Sequence, residues 1–304
     1  MISFIDDNRI LLRAVIDRDY NSLSSYLRSD ELQRSYDYVD DDGSLIAYKV
    51  FENKPLTKLY DFPVYVVRFY FADIEVLHCD SMEERLCSLM ESLKQKIVSQ
   101  PGYYNFRIPS HVVDLIKTFN RMFPQHIFCG GTVEEYINGK DVMVPEKTGL
   151  TFGRVDDETM KNIADSLVEI AEESFTSYQG QYHISEVTAP KAGQIYMNWI
   201  RNGLWDNPRD VMVAWYNGVP CGFGLTAFDA ECRVSDLLLT AVSKEYRGQG
   251  IYKALISKLI NEANDMNYAF VSSTQFDNFG SQHTWGSLGM GPFYSIYNIH
   301  LDRR

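Results

Sequence analysis

The stretch that most constrains the fold is Val234–Leu259, which reads VSDLLLTAVSKEYRGQGIYKALISKL. Its first nine residues are mostly apolar or β-branched and contain neither Pro nor Gly, which predicts a strand. A short polar connection with Gly248 and Gly250 follows. From Ile251 onwards apolar residues recur at helical spacing, which predicts a helix. A strand that leads through glycines into a helix indicates an α/β fold.

The connection has the composition of an anion-binding loop. The first N–H groups of a helix have no partner within the helix, and the helix dipole adds positive potential there. Glycine lets the backbone approach a phosphate, and Arg247 and Lys244 add charge. Ile251-Tyr252 stand where the Walker pattern needs Lys-Ser/Thr, and Lys253 stands where the dinucleotide fingerprint needs its third Gly. The loop is therefore predicted to bind a phosphate of another kind.

The pattern Arg247-x-x-Gly250-x-Tyr252 after an apolar strand resembles the acyl-CoA pyrophosphate loop of the GNAT acetyltransferases, Q/R-x-x-G-x-G/A. Tyr252 departs from that pattern, because it replaces a small residue. The alternative is a purely structural helix N-terminus in an ordinary α/β sheet.

A second motif strengthens the resemblance. After a predicted strand at 268–275 the chain reads NFGSQHTWGSLGM, which is similar to the GNAT pattern N-x-x-A-x-x-x-Y-x-x-x-G-F. Asn278 and Gly289 match, whereas Trp285 replaces the Tyr. The segments FTSYQGQYHI (175–184) and YMNWIRN (196–202) look like those of the bacterial dTDP-fucosamine (dTDP-4-amino-4,6-dideoxygalactose) N-acetyltransferase group.

The resemblance implies two domains. Residues 150–304 are expected to form a GNAT domain with a mixed, mostly antiparallel central sheet. Residues 1–145 are expected to form a smaller, degenerate GNAT-like α/β domain without the CoA loop. Within it, Ile74–Cys79 is predicted to be a strand, and the aspartate-rich segment 37–42 is predicted to be a solvated turn.

The resemblance also implies the reaction, in which acetyl-CoA donates an acetyl group to the amine of an amino sugar that is linked to a nucleotide. Two alternatives stay open. One is acylation of another amine, such as an amino acid, an antibiotic or a protein lysine; the other is a non-catalytic CoA-binding protein. Turnover of acetyl-CoA with any amine would exclude the latter.

The residues expected to bind the cofactor are Thr240, Val242, Arg247, Gly248, Gln249, Gly250, Ile251, Tyr252, Asn278 and Trp285. A backbone N–H of Thr240 or Val242 would polarise the thioester carbonyl as an oxyanion donor. The family often uses the Tyr at the position of Trp285 as the acid that protonates the thiolate. An indole N–H donates a hydrogen bond but does not titrate in this range, so the acid stays unassigned.

Three residues are candidates for the catalytic base. His183 comes first, because its loop walls the acceptor site in GNAT folds and imidazole titrates near neutral pH. The other two are His300, in the last predicted strand, and Asp236, in the strand predicted at the start of the stretch Val234–Leu259. Each has a structural alternative: a surface or core histidine, or a solvated carboxylate at a strand.

Composition excludes several classes of protein. The net charge of −12 disfavours a nucleic-acid binder or an anionic-membrane binder, which needs a basic footprint. The five cysteines contain no CxxC pair, which disfavours a metal site or a disulfide framework. No apolar run is long enough to span a membrane, so we expect a cytoplasmic protein. Two roles for the N-terminal domain stay open. It contacts either the nucleotide of the acceptor or a second subunit in a homodimer.

Overall fold

The computed structural model describes residues 6–18, 20–42, 45–72, 82–178 and 180–304. The chain divides into two compact units, residues 1–132 with 294–304, and residues 133–293. Each unit contains a mixed, mostly antiparallel sheet with helices, which confirms the predicted α/β class. The domain boundary expected near residue 145 stays a prediction.

The first unit contains helices α1–α6 and the strands that precede or separate them. Their bounds are α1 Asp6–Asp17, α2 Tyr20–Leu27, α3 Asp30–Ser35, β1 Tyr38–Asp41, β2 Leu45–Glu52, α4 Lys54–Tyr60, β3 Val64–Phe71, α5 Met82–Ser99, β4 Tyr103–Pro109 and α6 Val113–Met122. Strand β5, Ile127–Ile137, begins in this unit. The predicted strand Ile74–Cys79 lies outside the described residues.

The sheet of the first unit joins distant parts of the sequence. β3 pairs with β2 antiparallel and with β4 parallel, and β4 also pairs antiparallel with the final strand β11, Gly291–Asp302. Apolar side chains of α5 and α6 pack on one face of this sheet, with Leu86, Leu93 and Phe119 among them. Residues of β11 therefore belong to the core of the first unit.

The aspartate-rich segment is not the solvated turn that was predicted. Residues 38–41 form β1, which pairs with β2. Asp40 accepts a hydrogen bond from Arg85 at 2.8 Å and Asp41 one from Arg28 at 2.9 Å. One basic partner lies in α5 and the other directly after α2; together they offset the negative charge, and this offset allows an acidic strand.

The second unit contains the predicted strand–loop–helix. Its bounds are β6 Leu150–Arg154, α7 Asp157–Phe175, α8 Gln181–Ile184, α9 Ala192–Asp206, β7 Val211–Tyr216, β8 Val219–Asp229, β9 Val234–Val242, α10 Ile251–Asp265, β10 Ala269–Gln275 and α11 Phe279–Leu288. Strands β6, β7, β8 and β9 pair antiparallel in that order, and β10 pairs parallel with β9. The dipeptide Asn217-Gly218, which is typical of a two-residue hairpin turn, connects β7 to β8 with positive φ at both positions.

Helices α9 and α10 lie on opposite faces of this sheet. A Cβ added at Gly203 of α9 would lie 2.6 Å from the Leu225 side chain, whereas one added at Gly224 would lie 2.7 Å from Leu259 of α10. Gly224 and Leu225 are consecutive in β8, and successive residues of a strand face opposite sides. The sheet therefore separates the side that holds α10 from the side that holds α9.

Candidate functional site

The loop between β9 and α10 leaves the N-terminus of α10 open. Gly248 has φ +73° and Gly250 has φ +80°, a backbone region that favours glycine. A Cβ at either position would meet no atom within 4 Å, so the space in front of the loop is open. Gly250 is the N-cap of α10 and has no side chain to bind its first N–H groups. The N–H groups of Ile251 and Tyr252 are thus available to an external anion.

The start of the loop is held by α7. The Arg247 guanidinium donates from Nε to the carbonyl of Val242 at 2.9 Å and from Nη2 to Ser174 Oγ at 2.8 Å. The backbone N–H of Lys244 donates to a Glu173 carboxylate oxygen at 2.9 Å, and this bond is the main cause of the lowered pKa of Glu173. Arg247 therefore orders the loop in addition to placing positive charge beside it.

Lys147 is a residue at the loop that the sequence did not single out. Its Nζ donates to Gln249 Oε1 at 2.8 Å and lies 5.1 Å from the centre of the Tyr216 ring. A cation that already touches Gln249 adds positive potential where a phosphate would bind. Lys147 lies between the two expected domains, 1–145 and 150–304, where the sequence has no motif, so only its charge signalled it.

Strands β9 and β10 separate at the carboxyl end of their pairing. The parallel register ends at Leu237 opposite Ser272, although β9 continues to Val242 and β10 to Gln275. The N–H of Ser243 donates to a β8 carbonyl at 2.9 Å. Because successive N–H groups of a strand point to opposite edges, those of Thr240 and Val242 point away from β8, towards the opening.

Asn278 closes the end of β10 next to this opening. It is the N-cap of α11: its Oδ1 accepts from the Ser281 N–H at 3.4 Å, and its Nδ2 donates to Thr274 Oγ1 at 2.8 Å. Burial raises the pKa of the Tyr178 phenol, and the side chains of Thr274 and Asn278 oppose this rise. The Tyr178 hydroxyl therefore faces the end of β10.

The two positions that depart from the GNAT motifs contact each other. Trp285 is buried, with 2% of its surface exposed, and its Nε1–H donates to the Tyr252 hydroxyl at 3.0 Å. Tyr252 in turn donates to Ser281 Oγ at 3.2 Å. Burial raises the pKa of Tyr252 to about 12, which the bonds to Ser281 and Trp285 oppose. The phenol is therefore protonated at neutral pH.

His183 lies in a cluster of aromatic side chains on α7, α8 and α9. Its ring stacks on Tyr196 at 6.3 Å and meets Tyr178 edge-on at 6.5 Å. Tyr196 stacks on Phe175 at 4.4 Å. Burial lowers the pKa of His183, and backbone carbonyls that face the ring offset some of this effect. The imidazole is therefore neutral at neutral pH, which is the form that accepts a proton.

The other two candidate bases are in different surroundings. His300 is fully buried in the first unit, where its Nδ1 lies 2.9 Å from the Tyr103 hydroxyl. Burial lowers the pKa of His300 to about 3, and Arg107 contributes. Asp236 lies in the half of β9 that is paired with both β8 and β10, before the strands separate. The structure brings neither of them to the aromatic cluster around His183.

Glu135 is a second functional candidate that the sequence reasoning missed. It lies on β5, two residues before Ile137, which packs in one cluster with Trp285. The residue is 6% exposed, burial raises the pKa of its carboxyl group, and its charge acts on Tyr252. The available signal was the pair Glu134-Glu135 in a strand with no other charged residue.

Part of the chain matches a known protein family, and its fold is similar to that of several solved structures. The profile described as "Acetyltransferase (GNAT) family" matches residues 165–290. A GCN5-related N-acetyltransferase from Sphaerobacter thermophilus shares 13% identity and has a TM-score of 0.59, with 85% of this chain and 77% of that chain covered. No protein of curated function matches the sequence significantly.

Two further solved structures share the fold. A fungal protein described as a GCN5-related glucosamine N-acetyltransferase region within a multi-domain β-N-acetylglucosaminidase is 10% identical, with a TM-score of 0.55 over 85% of this chain and 31% of that chain. A tandem GNAT protein from the clavulanic acid biosynthesis pathway is 10% identical, with a TM-score of 0.50 over 87% of this chain and 85% of that chain. Among the residues that the structure describes, no helix is long and apolar enough to cross a membrane.

Proposed function

We propose that this enzyme transfers the acetyl group of acetyl-CoA to the amine of an amino sugar that is linked to a nucleotide. The match of the GNAT family model to residues 165–290 supports the acetyl transfer and acetyl-CoA as the co-substrate. The observation that carries the proposal is the combination of an uncapped α10 N-terminus with strands β9 and β10 that separate beside it. The first feature suits a diphosphate and the second exposes a strand edge.

The cofactor loop has the groups that this role requires. The N–H groups at the start of α10 would bind the pyrophosphate, with Arg247 and Lys147 as the nearby positive charges. The N–H groups of Thr240 and Val242, which point towards the opening, would donate to the thioester oxygen as it becomes negative. Asn278 would contact the cofactor from the start of α11.

The acceptor would bind at the aromatic cluster. The half-buried rings of Tyr178 and Trp199, which pack edge-on against the buried Tyr196, would contact the apolar side of a sugar ring. The neutral His183 would accept the proton that the amine loses as it attacks the thioester carbon. The likeness of residues 175–184 and 196–202 to the dTDP-fucosamine acetyltransferase group supports a nucleotide-linked acceptor. The glucosamine acetyltransferase region among the solved structures supports an amino sugar.

The test is release of free thiol from acetyl-CoA in the presence of dTDP- and UDP-linked amino sugars, free amino sugars, an aminoglycoside and a lysine peptide. We expect release with a nucleotide-linked amino sugar. Preference for the peptide or the aminoglycoside would contradict the acceptor and favour another amine. An absence of release, with no rise in melting temperature on addition of acetyl-CoA, would contradict the cofactor site.

His183→Gln is the first variant, and His283→Gln, on the exposed side of α11, is its matched control. We expect the first substitution to lower kcat by about 10²-fold and the second to leave it unchanged, because a positioned base contributes about 10²–10⁴-fold. Equal activity of both variants would remove His183 from the mechanism.

A further inference from the structure

Tyr178 and Tyr252 lie on opposite faces of the second unit's sheet. Tyr178 belongs to the side of α9, because its ring meets Tyr196 of that helix edge-on at 6.1 Å. Tyr252 belongs to α10, on the other face. The Tyr252 hydroxyl donates to Ser281 Oγ at 3.2 Å, the Ser281 N–H donates to Asn278 Oδ1, and Asn278 Nδ2 donates to Thr274 Oγ1 at 2.8 Å. Because Thr274 lies beyond the last residue of β10 that pairs with β9, these bonds connect the Tyr252 hydroxyl to the point where the two strands separate. A charge on Tyr178 would raise the pKa of Tyr252 further.

This opening is where a thioester bound along β9 would react. When an amine displaces a thiol from a thioester, the sulfur leaves as a thiolate and needs a proton. Trp285, which the family pattern would have as Tyr, has no proton to give in this pH range. Its N–H instead points at the Tyr252 oxygen, which a second bond connects to Ser281.

We propose that the Tyr252 hydroxyl is the proton donor to the departing thiolate and that Trp285 is the residue that positions it. This inference rests on the acetyl transfer proposed above. The nitrogen lone pair of the neutral amine forms the new C–N bond, and the C–S bond breaks with its electron pair on sulfur. Sulfur takes the proton of Tyr252, the base takes one from the amine nitrogen, and proton return from the base through solvent restores the phenol.

The surroundings of Tyr252 suit both halves of this cycle. Before reaction, burial and the nearby Glu135 carboxylate keep the phenol protonated, so that a proton is available. After proton transfer, the phenolate oxygen accepts the indole N–H of Trp285 as a hydrogen bond to a charged group, which is stronger than one to a neutral hydroxyl. Trp285 thus favours the form of Tyr252 that appears only during turnover.

The first test is Tyr252→Phe, which removes the hydroxyl and keeps the ring. We expect kcat to fall by about 10²-fold, the lower end of the range for a positioned acid, because a thiolate is a good leaving group. The KM for acetyl-CoA should change little, and the melting temperature should fall by a few degrees at about 1–3 kcal/mol, because the buried Trp285 N–H loses its acceptor. Trp285→Phe should lower kcat by a smaller factor, about tenfold. Tyr268→Phe, at the opposite end of α10, is the matched control and should retain full activity.

A role in proton donation is separated from a structural role by the acidity of the phenol. Fluorotyrosines of increasing acidity, placed at position 252 by amber suppression, should raise kcat in a graded manner as the pKa approaches the assay pH. The same series at position 268 should give a flat response. The assay uses the best amine of the panel or, if none is accepted, enzyme-dependent hydrolysis of acetyl-CoA, in which the thiolate departs in the same way.

Each outcome decides the matter. Full activity of Tyr252→Phe, or a flat fluorotyrosine response at position 252 in an active enzyme, would overturn the proposal and leave acetyl transfer intact. A graded response at position 178 instead would assign the donor to Tyr178. A wild-type protein that binds no acetyl-CoA in a thermal-shift measurement and releases no thiol would overturn the proposed function itself, and this inference with it.

Discussion

Gly250 permits a test that separates the stability of the chain from its affinity for the cofactor. Gly250 has φ +80° and Gly218, in the β7–β8 turn, has φ +81°, and a Cβ at either would meet no atom within 4 Å. Alanine at either position therefore adds backbone strain without a clash, at a cost of about 1–2 kcal/mol. We expect Gly250→Ala and Gly218→Ala to lower the melting temperature equally, by about 2–4 °C for each kcal/mol.

The two substitutions should differ in their effect on acetyl-CoA. At position 250 the new methyl group, or a shift of φ away from the left-handed region, displaces backbone N–H groups from the phosphate. Loss of one hydrogen bond to a charged group costs about 1.5–3 kcal/mol, which corresponds to about a 10- to 100-fold weaker Kd.

Isothermal titration with acetyl-CoA measures this difference, and thermal unfolding without ligand measures the strain. Gly218→Ala should bind acetyl-CoA as the wild type does. The reasoning would be refuted if Gly250→Ala bound acetyl-CoA normally, or if Gly218→Ala lost as much affinity as Gly250→Ala.

Three further predictions concern ionisable groups. Burial lowers the pKa of His183, so the loss of kcat/KM on the acid side of a pH–rate profile should occur below pH 6.5. His183→Gln should abolish this acid-side loss. His300 is neutral in the fold, with its pKa lowered to about 3 from 6.5, so its contribution to stability is present above pH 6.5 and is lost as the pH falls towards 3. The slope is at most about 1.4 kcal/mol per pH unit, and urea unfolding of His300→Gln between pH 7.5 and 5 should show a flatter dependence than the wild type. Arg154 forms two hydrogen bonds to the Glu262 carboxylate and one to Thr226 Oγ1 at 2.9 Å. Arg154→Met should therefore lower the free energy of unfolding in urea by about 2–3 kcal/mol, and Arg154→Lys should recover little because lysine lacks the fork geometry.

Local sequence signals were sufficient where a segment's own pattern determines its structure. The strand Val234–Val242 and the start of the following helix at Ile251 have the predicted bounds, because periodicity and glycines mark both. The dipeptide Asn217-Gly218 likewise marks its own turn, since both residues have the positive φ that a two-residue hairpin requires. The segment 37–42 was wrongly predicted, since its carboxylates depend on Arg28 and Arg85, which lie elsewhere in the chain.

The candidate site was harder to predict because its contacts join distant residues. The bond between Trp285 and Tyr252 spans 33 positions, and from the sequence the two residues are separate departures from two motifs. Only the packing of α11 on α10 shows that these two departures form one hydrogen-bonded pair. Lys147 and Glu135 were missed for the same reason, since each reaches the site from a segment with no motif of its own.

The pairing of β4 with β11 affects how the chain folds while it is being synthesised. The Tyr103 hydroxyl meets His300, which is 197 positions later, and residues 103–109 pair with residues 296–302. During synthesis on the ribosome, the edge of β4 that pairs with β11 therefore stays unpaired until the whole second unit has been made. An uncovered strand edge of this kind favours pairing with other chains. The first unit thus completes its fold only after the second unit has been synthesised, and protein truncated before residue 296 should aggregate.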